Sequence, residues 1–132
     1  MSCNRILYAD EAGGREKHRR FNDITFIKLI ANGSLEPAFF THEAHIRLAW
    51  LTMNTKGFEE ACNAICYNIE QFDRLHGDGK KYDRKLTRAA AKIIWNCKSE
   101  SESAEFADFL DEFPNLSSKL KELATAYNGN PK

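Results

Sequence analysis

Apolar residues recur along this chain with the period of an α-helix, and clusters of glycine, proline and polar residues separate the recurring stretches. The clearest stretch covers 58–75, where apolar residues return every three or four positions. The whole pattern predicts helices at about 22–31, 41–54, 58–75, 83–97, 104–113 and 116–127. Because no stretch alternates apolar and polar residues as a half-buried strand does, the predicted fold class is all-α.

Residues that cap helices stand just before several of these stretches. Asn22, Thr41 and Asp83 are predicted N-caps, since each can accept a hydrogen bond from a free N–H group of the first turn. Ser103 is the N-cap predicted for the fifth helix.

Short connections between the predicted helices favour antiparallel neighbours in one bundle. We therefore expect a single-domain, mainly antiparallel bundle of five to six helices over residues 21–128. Residues 1–20, which contain Gly13 and Gly14, are predicted to form an extended or flexible N-terminal arm. Residues 129–132 are predicted to be a frayed tail.

Charge and composition limit the classes of function. The chain has 19 basic and 19 acidic residues, so it lacks the overall positive field of a dedicated nucleic-acid-binding protein. No apolar run approaches the roughly 20 residues that cross a bilayer, and the first residues do not have the pattern of a signal peptide. The sequence therefore predicts a cytoplasmic protein with no nucleic-acid partner and no membrane partner, and it leaves a homo-oligomer open.

Three of the four cysteines are predicted to be small core residues. Cys62 and Cys66 are four positions apart, which is one helical turn and not the C-x-x-C spacing of a redox or zinc motif. Cys97 lies on the apolar stripe of the fourth predicted helix. Disulfides are rare in a reducing cytosol, so we expect these thiols to be free.

Side chains capable of chemistry gather at one predicted end of the bundle. If the second, third and fourth helices alternate in direction, the start of the second, the end of the third and the start of the fourth meet there. The candidate residues at this end are His42, His45, Arg47, His76, Lys81, Tyr82, Asp83 and Thr87.

A metal site is the first interpretation of this end. His42 and His45 are three residues apart, so both imidazoles can face one point from a single helix. Asp83 or His76 would supply the next ligand. Imidazole suits Zn, Fe and Cu, so a divalent metal of this kind is the predicted cofactor, and open coordination positions would permit metal-assisted chemistry.

A site for a small anionic ligand is the second interpretation. Two helix N-termini would present free N–H groups and the positive ends of their dipoles. The predicted ligand-binding residues are Arg47, Lys81, Tyr82 and Thr87. In a catalytic version, His45 would act as general base and Tyr82 as acid or donor, with His42 as a further catalytic candidate. Arg47 would hold a carboxylate or phosphate.

A protein–protein interaction or scaffold domain with structural histidines is the third interpretation. Arg47 would then neutralise Glu43 one turn earlier, and Asp83 would be only an N-cap. A ligand site predicts His45 and Tyr82 lining a pocket with unpaired polar atoms. Structural histidines predict that these atoms are satisfied and that no pocket lies between the second and fourth helices.

The segment 40–50, which reads FTHEAHIRLAW, resembles the motif F-x-H-x-x-H-[LI]-R-[LM]-A-W of an uncharacterised family of small all-helical bacterial proteins. Segment 81–87 is similar to that family's later K-Y-x-x-x-[LIV]-T, with Asp83 where histidine is common, and 112–114 is similar to its E-F-P. The resemblance covers roughly 20–127. It implies a helical fold and no particular reaction. It also marks the same end of the bundle through His42, His45, Arg47, Lys81, Tyr82 and Thr87.

Overall fold

Six α-helices make up most of the computed structural model, which describes residues 16–129. They are α1 (Asp23–Ala31), α2 (His42–Met53), α3 (Phe58–His76), α4 (Arg84–Ser99), α5 (Phe106–Glu112) and α6 (Pro114–Gly129). Two short 3-10 turns, Lys17–Arg20 and Pro37–Phe39, precede α1 and α2. The described part contains no strand, so the prediction of a single-domain all-α bundle is confirmed.

Side-chain caps set the start of three helices. Asn22, Thr41 and Asp83 each accept a hydrogen bond from the backbone N–H three residues later, at 2.8, 3.2 and 3.0 Å. These bonds satisfy donors that a helix leaves free in its first turn. The three predicted caps are therefore confirmed.

The predicted cap Ser103 is wrong. Helix α5 begins at Phe106, and Glu105 stands before it without a side-chain cap. The Ser103 hydroxyl donates instead to the Glu112 carboxylate at 2.7 Å, together with the hydroxyl of Ser101. These bonds hold the linker before α5 against the end of the same helix.

Helix α2 lies at the centre of the bundle. Eight of its twelve residues are buried, and Ile46 and Leu48 are fully so. It packs against α3, α4 and α6, while α6 lies mainly along α4. Apart from this main core, a smaller apolar cluster that includes Phe26 and Leu35 joins α1 to α2 and to the end of α3.

The end of α3 and the start of α4 are held together by one carboxylate. Asp73 Oδ2 accepts hydrogen bonds from the backbone N–H groups of Lys81 and Tyr82, each at 3.0 Å. The connection 77–83 therefore turns back on α3. This brings the start of α4 to the end of the bundle where the sequence predicted a site.

Only residues 16–20 of the predicted N-terminal arm belong to the described residues. Residues 1–15 lie outside the described residues. The remaining part contains the turn Lys17–Arg20, and the His18 ring is fully buried with its centroid 5.6 Å from that of Phe26. Residues 130–132 of the predicted tail also lie outside the described residues, and Gly129 is still part of α6.

The buried thiols agree with the predicted role of the cysteines. Cys62 and Cys66 are free and buried, and Cys97 is free and half-buried. Burial, reinforced by the neighbouring Cys66 thiol, raises the pKa of Cys62 to about 11. Among the helices within 16–129, none combines the length and apolar character needed to cross a bilayer.

Candidate ligand-binding site

A cavity of about 210 Å³ lies between α2, α3, α4 and α6, and we call it cavity A. It is lined by His42, His45, Ile46, Ala49, Ile65, Ile69, Leu86, Thr87, Ala90, Ala91, Ile94, Leu120, Lys121 and Ala124. Most of this wall is apolar, and its polar side chains are two imidazoles, one hydroxyl and one ammonium group. The start of α2 and the start of α4 therefore border one pocket.

A second cavity, cavity B, has a volume of about 230 Å³. It is lined by Pro37, Phe40, His45, Ile69, Phe72, Asp73, His76, Gly77, Lys81 and Tyr82. His45 and Ile69 line both cavities. The His45 ring is thus a shared wall.

The His45 imidazole is held in one orientation by its neighbours. Its Nδ1–H donates to the Thr41 carbonyl oxygen at 2.8 Å, and its ring is stacked on Phe40 with centroids 3.9 Å apart and an angle of 7°. Within residues 16–129, no group hydrogen bonds to Nε2. A neutral ring with Nδ1 protonated keeps a lone pair on Nε2, so this atom can accept a proton or a hydrogen bond from a ligand.

Burial lowers the pKa of His45, and the nearby His42 lowers it further, while the bond to the Thr41 carbonyl acts in the opposite direction. The imidazole is therefore neutral at pH 7. A neutral imidazole in a mostly apolar wall is suited to act as a base or as a hydrogen-bond acceptor.

The Tyr82 hydroxyl is buried without a hydrogen-bond partner among the described residues. Burial raises the pKa of Tyr82 to about 12, and the neighbouring Cys66 thiol contributes to the rise. The phenol is therefore neutral and can donate. Of the pair proposed as base and acid, His45 lines both cavities and Tyr82 lines cavity B.

The other predicted residues divide between these cavities and the surrounding backbone. His42 and Thr87 line cavity A, and the His42 Nε2–H donates to the Leu116 carbonyl at 3.2 Å. His76 and Lys81 line cavity B, and the His76 Nε2–H donates to the Gly33 carbonyl at 2.7 Å. Asp83 lines neither cavity.

The predicted metal ligands are not brought together. In residues 16–129, the one group of three or more His, Cys, Asp or Glu side chains with ligand atoms within 4.8 Å of one another is Glu16, His18 and Glu43. The four predicted ligands are His42, His45, His76 and Asp83. Each of the three histidines has one ring nitrogen hydrogen bonded to a backbone carbonyl oxygen. The Asp83 carboxylate accepts a hydrogen bond from a backbone N–H and so caps α4.

Arg47, a predicted ligand-binding residue, lines neither cavity. Its guanidinium donates to the carbonyl oxygens of His18 and Phe21, each at 2.8 Å, and to Asp23 at 2.9 Å. It also lies over the Phe26 ring, 4.3 Å from the centroid. Arg47 therefore fixes the segment before α1 onto α2, and it does not neutralise Glu43 either.

Glu43 belongs to a partly buried polar network that the sequence did not predict. Its carboxylate accepts two hydrogen bonds from Arg19, at 2.7 and 2.8 Å, and one from His18 Nε2–H at 2.8 Å. Burial acts to raise the pKa of Glu43, but these bonds and the charge of Arg19 outweigh it and lower the pKa to about 2. Since Arg19 already pairs with the Glu43 carboxylate, and His18 Nε2 lies 3.3 Å from Glu16 Oε1, we describe the group Glu16, His18 and Glu43 as an ion-pair network.

Comparisons with known proteins add no assignment, since no family model matches the chain and neither a curated protein nor a solved structure does. The resemblance of segments 40–50 and 81–87 to a helical bacterial family stays a prediction.

Proposed function

We propose that this protein binds a small organic ligand with an apolar body and one acidic group in cavity A, with His45 at the ligand's polar end. The observation that carries this proposal is the His45 Nε2, which has no partner within residues 16–129 and belongs to a neutral imidazole that lines a largely apolar cavity.

The size of cavity A supports a small ligand. An engineered apolar cavity of roughly 150 Å³ holds benzene, and pockets for drug-sized ligands begin near 300 Å³. At about 210 Å³, cavity A suits one aromatic ring or a short aliphatic chain. Ile46, Ile65 and Ile94 would contact that apolar body.

The polar side chains of cavity A favour an acidic group on the ligand. A carboxylic acid can transfer its proton to His45 Nε2, and the resulting carboxylate and imidazolium would attract each other strongly away from water. Lys121, an exposed residue of α6 that lines the same cavity, adds a second positive charge. A carboxylate that binds at pH 7 should therefore bring one proton into the complex.

Calorimetry with hexanoate and benzoate on the full chain tests the proposal, with 1-hexanol as the neutral match. Hexanoate has about eight non-hydrogen atoms, so roughly 0.5 kcal/mol per atom gives a Kd near millimolar. Repeating the titration in two buffers of different ionisation enthalpy measures proton uptake. We expect uptake with both carboxylates, none with hexanol, and tighter carboxylate binding as the pH falls from 8 to 6.5.

Two variants assign this binding to cavity A. Ala90→Leu places a larger side chain in the cavity wall and should weaken hexanoate at least about tenfold, whereas Ala126→Leu on the exposed face of α6 should not. His45→Gln should abolish proton uptake. The proposal fails if neither carboxylate binds, or if Ala90→Leu leaves binding unchanged.

A further inference from the structure

A basic groove on the far side of α4 is independent of cavities A and B. It has a volume of about 370 Å³ and is lined by Phe58, Glu59, Lys85, Arg88, Ala89, Lys92 and Tyr127. None of these residues lines cavity A or cavity B. We propose that this basic groove binds a nucleoside phosphate, with the phosphates between the cations of α4 and the base against Tyr127.

Helical spacing puts three cations on one face of α4. Lys85, Arg88 and Lys92 are three and four residues apart, so their side chains project in the same direction. Like charges this close on one helix face repel one another. An anionic ligand would remove that repulsion.

Only part of this positive charge is matched by acidic groups. Arg88 Nη2 lies 3.1 Å from Glu59 Oε1. Lys85 and Lys92 form no ion pair with any residue in 16–129. The basic groove therefore has three cations and one carboxylate, a local excess of two positive charges in a chain whose formal net charge is zero.

Aromatic rings at the basic groove make it more than a charged surface. The Lys92 ammonium lies 4.9 Å from the centroid of the half-buried Phe58 ring, which keeps this cation against the wall. Tyr127 contributes a ring that is 49% exposed. An exposed tyrosine beside lysine and arginine offers a flat apolar surface next to a phosphate-binding one.

This combination selects one ligand class. Lysine and arginine bind phosphate through charge-assisted hydrogen bonds, but inorganic phosphate would leave Tyr127 unused. A neutral nucleoside would leave the cations unpaired. A nucleoside phosphate uses both features, and the basic groove lies within the usual volume range of small-ligand pockets, roughly 300–1,000 Å³.

Titration of the full chain with ADP, adenosine and pyrophosphate at low salt, followed by NMR, is the direct test. We expect ADP to shift the amide signals of Lys85, Arg88 and Lys92 and to bind at least about tenfold more tightly than adenosine. Pyrophosphate should bind more weakly than ADP. The proposal is overturned if ADP and adenosine bind equally, if neither binds, or if pyrophosphate binds as well as ADP.

Matched variants separate the basic groove from general electrostatics. The double variant Lys85→Gln/Lys92→Gln should weaken ADP at least about tenfold, while Lys28→Gln/Lys119→Gln makes the same charge change at exposed positions elsewhere and should have little effect. Equal losses in both double variants would overturn the proposal. Thermal unfolding of all variants checks that each is folded.

Two further measurements fix the ligand class. Tyr127→Leu should weaken ADP several-fold and leave pyrophosphate unchanged, and an unchanged ADP affinity would contradict stacking on this ring. A single-stranded oligonucleotide that binds far more tightly than ADP would replace the proposal with a nucleic-acid site.

Hexanoate binding should be the same in Lys85→Gln/Lys92→Gln as in the wild type, so this proposal and that for cavity A can fail separately.

Discussion

The Nδ1–H of His45 donates a hydrogen bond to the carbonyl oxygen of Thr41, one helical turn earlier, at 2.8 Å. This bond selects the tautomer that leaves Nε2 as an acceptor. The Thr41 hydroxyl in turn donates to Glu16 at 2.8 Å and also caps α2. The segment before α1 is therefore connected through Thr41 to the His45 ring, and His45 lines both cavities.

The protonation of His45 is the first testable consequence. Because burial disfavours the imidazolium, we expect its pKa in the folded protein to lie below the ordinary value of 6.5, with Nδ1 protonated above that pKa. Two-dimensional ¹H–¹⁵N spectra of the imidazole rings, recorded from pH 8 to 4, report both quantities. His45→Gln assigns the signals, and the urea-unfolded chain supplies the reference pKa.

The same shift makes stability depend on pH in a known direction. The unfolded chain takes up the His45 proton at a higher pH than the folded chain does, so the free energy of unfolding should fall as the pH drops below about 6.5. His45→Gln should remove this contribution. An imidazole that titrates above 6.5, or one protonated on Nε2, would contradict the geometry described for cavity A.

Arg47 is expected to contribute stability and not ligand binding. Arg47→Ala leaves two backbone carbonyls and Asp23 without their donor, so the free energy of unfolding should fall by about 3 kcal/mol, as measured by urea unfolding. Arg47→Lys should recover only part of the loss, because one ammonium group cannot reach all three acceptors.

Arg74 offers a control for this substitution. It is 64% exposed and pairs with Glu70 one turn away, so Arg74→Ala should cost no more than about 0.5 kcal/mol. If Arg47→Ala kept full stability but lost hexanoate binding, Arg47 would be a ligand residue after all, and the role described above would be wrong.

Glu43 should make the fold sensitive to acid. Its pKa is about 2 in the folded protein against an ordinary value of 4.5, so the stabilisation is complete above pH 4.5 and is lost as the pH falls from 4.5 towards 2. We expect the loss to be on the order of 2 kcal/mol. Urea unfolding at pH 6 and pH 3 should show a smaller difference for Glu43→Gln than for the wild type, and equal differences would contradict the network.

Local signals explain why the helices could be predicted. Asn22, Thr41 and Asp83 act on donors only three residues away, so a single sequence contains all the information that fixes these helix starts. The short connections on either side of α3 similarly determined which helix ends meet. His45 and Tyr82, both predicted at this end of the bundle, line cavity B.

The parts that could not be predicted depend on packing between distant segments. Arg47 is adjacent in sequence to the residues of the site, but its acceptors lie more than twenty residues earlier, and one of them, the His18 carbonyl, belongs to the segment 1–20 predicted to be extended or flexible. Lys121 lines cavity A because α6 lies along α4, and no local spacing indicates this. His18 was one residue of a charged run, and its burial follows from contacts with α1 and α2.

The Tyr82 hydroxyl oxygen is the one buried side-chain nitrogen or oxygen in residues 16–129 that lacks a hydrogen-bond partner. Its effect on the free energy of unfolding can be measured with one substitution. Tyr82→Phe removes the hydroxyl and keeps the ring, so the cost of taking that hydroxyl out of water disappears. We expect the free energy of unfolding to rise by about 1 kcal/mol, as measured by urea unfolding at pH 7.

Tyr67→Phe is the matched control, because the Tyr67 ring is 63% exposed and its hydroxyl is not enclosed by protein. This substitution should change stability by less than about 0.5 kcal/mol. A drop of 1 kcal/mol or more in Tyr82→Phe would mean that the hydroxyl has a partner in solution, and the neighbouring Cys66 thiol would be the group to test next by Cys66→Ala. A rise would leave the Tyr82 hydroxyl free to donate to a ligand in cavity B.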